Sequence, residues 1–132
     1  MKYSILILFT FILMNLSAQK NYLQYSVFGS TPYVGLSYER TYLNQILSTE
    51  FGIGILSLSI GGKFYIKNTY IGASHYLFLI PSDAGFKTYI PFGFYKENTN
   101  GKVSIDIGPN FEWYDRNPNL TFNFGVKYSK EF

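Results

Sequence analysis

His75 is the only histidine of this chain, and there is no cysteine. Ser74 stands beside it. A Ser–His pair could drive acyl transfer. Adjacent residues of a strand point to opposite faces, however, so these two cannot form a dyad there. His75 shares its parity with Ile71, Ala73, Leu77 and Leu79, which predicts an outward position. One histidine and no cysteine leave no transition-metal cluster and at most a weak carboxylate site. Gly52-Ile53-Gly54 lies in strand-like sequence, and Gly61-Gly62-Lys63 lacks the rest of a phosphate loop. Nucleic acid is not an expected partner, because the aromatics have no basic groove beside them. The expectation is a protein that is not an enzyme, with no catalytic residue, metal or cofactor.

A larger set of chemistry-bearing residues is ionic. Glu39, Glu50, Asp106, Glu112 and Glu131, with Lys63, Lys87, Lys102 and Lys127, all fall on the polar parity of strand-like segments. Turn signals cut the chain into eight such segments: 22–28, 33–42, 46–54, 57–66, 69–80, 86–95, 102–114 and 120–132. The last is the clearest. Leu120, Phe122, Phe124, Val126, Tyr128 and Phe132 occupy one parity, interrupted by Lys130. Thr121, Asn123, Gly125, Lys127, Ser129 and Glu131 occupy the other. Side chains alternate faces along a strand, so this segment has one greasy face and one polar face. Connectors are short, and Pro-Ser-Asp-Ala-Gly and Asn-Thr-Asn-Gly carry turn chemistry. Ile55-Leu56 has the wrong residues for a primed turn. Only the matching parity of Gly54 and Ser57 makes it a hairpin. Pro91 inside a strand is a second blemish, tolerable at a bulge.

Composition narrows the environment. Charged residues are 14% and aromatic residues 20% of the chain. Residues 1–18 read as a cleavable secretory signal peptide. Met1-Lys2 supplies the positive start, an apolar stretch follows to Met14, and Ala18 precedes the cut. Past it no apolar run is long enough for a membrane helix. The single domain is then expected at 19–132, as a barrel whose greasy face shows as alternation.

Glycine decides which face is outside. Gly35, Gly52, Gly54, Gly61, Gly72, Gly93, Gly108 and Gly125 lie on the polar face, with Gly62 the exception. Small residues suit a crowded eight-strand interior. The opposite face carries Phe51, Phe64, Phe92, Phe94, Phe111, Phe122 and Phe124, which is too much bulk for such an interior. The expected lumen is therefore a polar network of Glu39, Glu50, Lys63, Asp106, Glu112 and Lys127, in which opposite charges pair. Trp113, Tyr114 and Tyr95 are expected in an aromatic girdle.

The stretches 33–39, 57–66 and 70–73 resemble the small outer-membrane β-barrel proteins of Gram-negative bacteria. Asn123, Gly125, Tyr128 and Phe132 match the C-terminal assembly signal of that family, and Lys130 departs from it. The resemblance implies an all-β, antiparallel, up-and-down, eight-stranded transmembrane barrel in the cell outer membrane. It also implies insertion among outer-membrane lipid by the barrel-assembly machinery, with both termini periplasmic. The resemblance implies no particular activity; a structural or interaction role with at most marginal conduction is expected because an eight-strand barrel is nearly filled by its own side chains. Two alternatives stay open: a secreted or periplasmic lipocalin-like barrel binding a hydrophobic ligand, and a lipid A-modifying barrel enzyme using His75.

Overall fold

The structure, a computed structural model, describes residues 20–30, 33–79, 85–113 and 119–132. The expected signal peptide at 1–18 lies outside them, as does Tyr114. The strands are β1 (Lys20–Phe28), β2 (Val34–Tyr42), β3 (Leu47–Gly54), β4 (Ser57–Ile66), β5 (Thr69–Phe78), β6 (Phe86–Tyr89), β7 (Phe92–Asn98), β8 (Gly101–Trp113) and β9 (Asn119–Glu131). Every pairing is antiparallel, and β9 returns to pair with β1. β6 and β7 both lie between β5 and β8, end to end, and form one wall. The sheet is therefore a closed, up-and-down barrel of eight walls, and closure leaves no strand edge unpaired.

Register fixes its shape. From Lys20 the paired levels run through Thr41, Ser48, Lys63, Gly72, Pro91, Gly108 and Asn123, and arrive back on the first wall level with Ser30. One circuit thus shifts the chain by ten residues, from Lys20 to Ser30. For eight strands a shear of this size tilts the walls by about 40° and leaves an interior that side chains fill.

Pro91 is accommodated without a bulge. Tyr89 pairs with Asn110 and Phe92 with Ile107, so no extra residue enters either strand. Pairing merely lapses at Ile90-Pro91, because proline has no N–H to give. The carbonyl of Pro91 still accepts from Gly72 N at 2.9 Å, and Ile90 N donates to Pro109 at 3.0 Å. Gly108 makes the lapse possible: a Cβ there would lie 1.9 Å from the Ile90 carbonyl oxygen. At Ile55-Leu56 the two-residue connection does form, with Gly54 opposite Ser57. Leu56 takes the unfavourable left-handed backbone there, at φ 58°.

The two faces separate by chemistry. Phe92, Phe94, Phe122 and Phe124 are 50%, 61%, 71% and 58% exposed on the outer wall. Inside lie Glu39, Glu50, Lys63, Lys102, Asp106 and Lys127, all buried. Tyr22, Tyr65, Tyr70, Tyr76 and Tyr89 are buried, and each hydroxyl reaches a polar partner; Phe78 is buried beside Tyr76.

Candidate functional site: the charged lumen

Glu39 on β2 and Glu50 on β3 are directly opposed across the strand pair. Like charges so placed repel. Lys63 on β4 offsets this by bridging them, with Nζ 2.6 Å from Glu50 Oε2 and 3.4 Å from Glu39 Oε1. It reaches both because Gly61, not a side chain, sits opposite Glu50. Lys127 on β9 adds a second cation to Glu50, at 3.2 and 3.3 Å. Lys102 on β8 adds one to Glu39, at 3.1 Å.

Hydroxyls and an amide satisfy the remaining lone pairs. Ser37 and Ser30 each donate to Glu50 at 2.9 Å. Ser48 donates to Glu39 at 2.6 Å, and Gln24 and Tyr65 also donate to it. The Lys102 ammonium sits over the rings of Tyr22, Tyr65 and Tyr95, at 4.4, 4.7 and 5.6 Å from their centroids. Cation–π attraction of this kind strengthens as water is excluded. Ser57 and Ser59 Oγ are buried without a partner among the described residues.

Asp106 stands apart from this cluster. It accepts from Tyr70 OH and Tyr89 OH, each at 2.6 Å, and among the described residues no ion pair holds it. Two glycines make its niche. A Cβ on Gly125 would lie 2.7 Å from Asp106 Oδ1, and one on Gly93 would lie 2.4 Å from the Tyr70 ring. Among the described residues the six buried charges are three acids and three bases, so they cancel formally.

The structure thus joins Glu39, Glu50, Lys63 and Lys127 in one network and keeps Asp106 beside it. Glu112 does not join: it pairs with Lys87 at the mouth where β5 ends. Glu131 pairs with Lys20 at the opposite rim, at 3.0 Å. Tyr95 is corrected from the outer girdle to the lumen, where its ring meets Tyr65 edge-on at 5.2 Å. Its parity with Gly93 was the available signal. Trp113 does face outward. The rings of Tyr22, Tyr65 and Tyr70 were unassigned by sequence, although Tyr65 shares parity with Lys63 and Tyr22 with Gln24.

Of the C-terminal pattern residues, Asn123 lines the mouth and Gly125 abuts Asp106. Tyr128 is on the outer wall, and Phe132 lies against Tyr38 with centroids 6.2 Å apart. A cavity of about 320 Å³ opens at the Glu112 mouth, lined by Tyr76, Phe78, Lys87, Asn110 and Asn123 among others. Asp106 and its two tyrosines lie beneath it. At the other end Tyr22 OH donates to Glu97 at 3.1 Å, beside the caged Lys102.

Ser74 is buried inside, whereas His75 is exposed outside, so the two do not meet. His75 Nδ1 lies 3.0 Å from Thr88 Oγ1, which also accepts from Trp113 Nε1 at 3.0 Å. Among the described residues no group of acidic, His or Cys side chains could hold a metal ion. Comparison with protein-family models, with curated proteins and with solved structures gives no match.

Proposed function

We propose that this chain is a small integral outer-membrane β-barrel protein. Its role is structural or interactive, not enzymatic, with at most marginal conduction. One observation carries the reading: the barrel is inverted relative to a water-borne one. Its large apolar side chains stand outside and six charged side chains are buried within. In water that arrangement would expose the greasy wall and bury ions at a cost of several kcal/mol each. In hydrocarbon the wall is solvated, and closing the sheet pairs the strands with one another.

Dimensions agree. On β8 the outward set runs from Val103 to Trp113. At about 3.3 Å per residue and a tilt of about 40°, that spans about 25 Å of membrane normal, the height of a barrel's apolar band. Conduction is limited by the packed middle layer of Glu39, Glu50, Lys63, Lys127 and the Asp106 tyrosines, which leaves ions no wide aqueous path.

A lipocalin-like role needs an apolar interior, and the apolar grooves here lie on the outer wall, along Tyr25, Leu36, Ile53 and Val126. Fractionation tests the reading. The protein should pellet with outer membranes, need detergent for release, and migrate faster on gels unheated than boiled. Release by salt or osmotic shock alone would refute it.

A further inference from the structure

Among the described residues, charge on the outer wall is of one sign and at one end. Among the described residues the acids Glu39, Glu50, Asp106 and Glu112 point into the lumen, and so do Lys63, Lys87, Lys102 and Lys127. At the rim where β1 begins and β9 ends, Glu131 is paired to Lys20 and Glu97 accepts from Tyr22. The outward charged residues are Arg40 on β2, Lys96 on β7 and Lys130 on β9, joined by Lys67 in the β4–β5 turn. All four are exposed, and no ion pair links them to a described residue.

Their spacing is regular. Arg40 follows Tyr38, Lys96 follows Phe94, and Lys130 follows Tyr128, each two residues on and on the same face. Arg40, Lys96 and Lys130 therefore each stand about 7 Å beyond an outward ring, toward the same rim where Lys67 lies. Their walls are spread around the barrel, so the positive charge forms a collar. The outward polar side chains described near the opposite rim, His75, Thr88 and Trp113, are joined in a hydrogen-bonded chain and include no lysine or arginine.

We infer that this collar binds the phosphate headgroups of anionic phospholipid in the leaflet that meets the rim where β1 begins. The inference rests on the membrane reading above. The aliphatic stems lie along the edge of the apolar band while the charged ends reach the headgroups. Each such cation attracts an anionic leaflet appreciably, and the sum fixes the height and tilt of the barrel. Lys130 thereby gains a role that its departure from the C-terminal hydrophobic pattern leaves unexplained.

The test uses the whole protein inserted in phosphatidylcholine vesicles carrying a minor share of spin-labelled phosphatidylglycerol or spin-labelled phosphatidylcholine. Phosphatidylglycerol should be enriched in the motionally restricted shell by about two- to five-fold. The quadruple variant Arg40→Gln, Lys67→Gln, Lys96→Gln, Lys130→Gln keeps every lumen contact and should fold, with that ratio falling to near one. Equal enrichment of the two lipids by the inserted wild type, or a ratio the quadruple variant leaves intact, overturns the collar while the membrane reading stands. The first of those outcomes would turn the collar toward an acidic protein surface. If the wild type enters no vesicle, both readings fall together.

Discussion

Glu50→Gln is the sharpest probe of the lumen. The side chain keeps its shape and loses only its charge. Two contacts then lose their Coulomb component: Lys63 at 2.6 Å and Lys127 at 3.2 Å. With an effective dielectric constant near 20, those attractions are about 6 and about 5 kcal/mol. Relief of the desolvation of one carboxylate and of its repulsion by Glu39 recovers part of this. Lys63 retains Glu39 at 3.4 Å, but Glu50 is the only carboxylate within 4 Å of Lys127 among the described residues. An uncompensated buried charge of this kind costs about 3–5 kcal/mol. Equilibrium unfolding by urea in vesicles, followed by gel mobility and tryptophan fluorescence, should therefore show a loss of about 3–5 kcal/mol. Adding Lys127→Met removes the stranded cation and should recover about half of it. The reasoning is refuted if Glu50→Gln is neutral, or if the two changes simply add.

Other outcomes follow from the same coordinates. Gly93→Ala puts a methyl 2.4 Å from the Tyr70 ring, which Asp106 holds in place, and should destabilise by about 1–3 kcal/mol in the same unfolding assay. Gly62→Ala, whose Cβ would meet only the Ser48 carbonyl at 3.2 Å, should be the milder of the two. Phe124→Arg, near the middle of the outward row of β9, should cost about 2–4 kcal/mol in a bilayer; a stability equal to wild type would remove lipid from that wall. His75→Ala should leave the lipid A mass spectrum of expressing cells unchanged, and a lost acyl modification would instead make His75 catalytic.

Much of the barrel was legible because strand periodicity is local. Parity alone assigned Phe51, Phe64, Phe92, Phe94, Phe111, Phe122 and Phe124 to one face and Glu39, Glu50, Lys63 and Lys127 to the other. Residue type misleads where it is two-natured. Tyr95 reads as girdle because tyrosine serves both interface and lumen, although its parity with Gly93 points inward, where it meets Lys102 and Tyr65. Pro91 reads as a blemish because its missing N–H is visible in sequence, whereas the room that Gly108 gives to the Ile90 carbonyl is not.

What the chain's own order determined is the alternation itself: which side chains share a face, and that glycines and ions keep to one face while most phenylalanines, Phe78 apart, keep to the other. These follow from a two-residue repeat and need no distant partner. Tertiary pairing decided who meets whom. The β2–β3–β4 registers set Lys63 against two opposed glutamates and the β6–β8 register pairs Glu112 with Lys87 at the mouth, while a circuit that returns ten residues along β1 brings Lys127 across to Glu50. That offset is a property of eight registers taken together, so no single segment contains it.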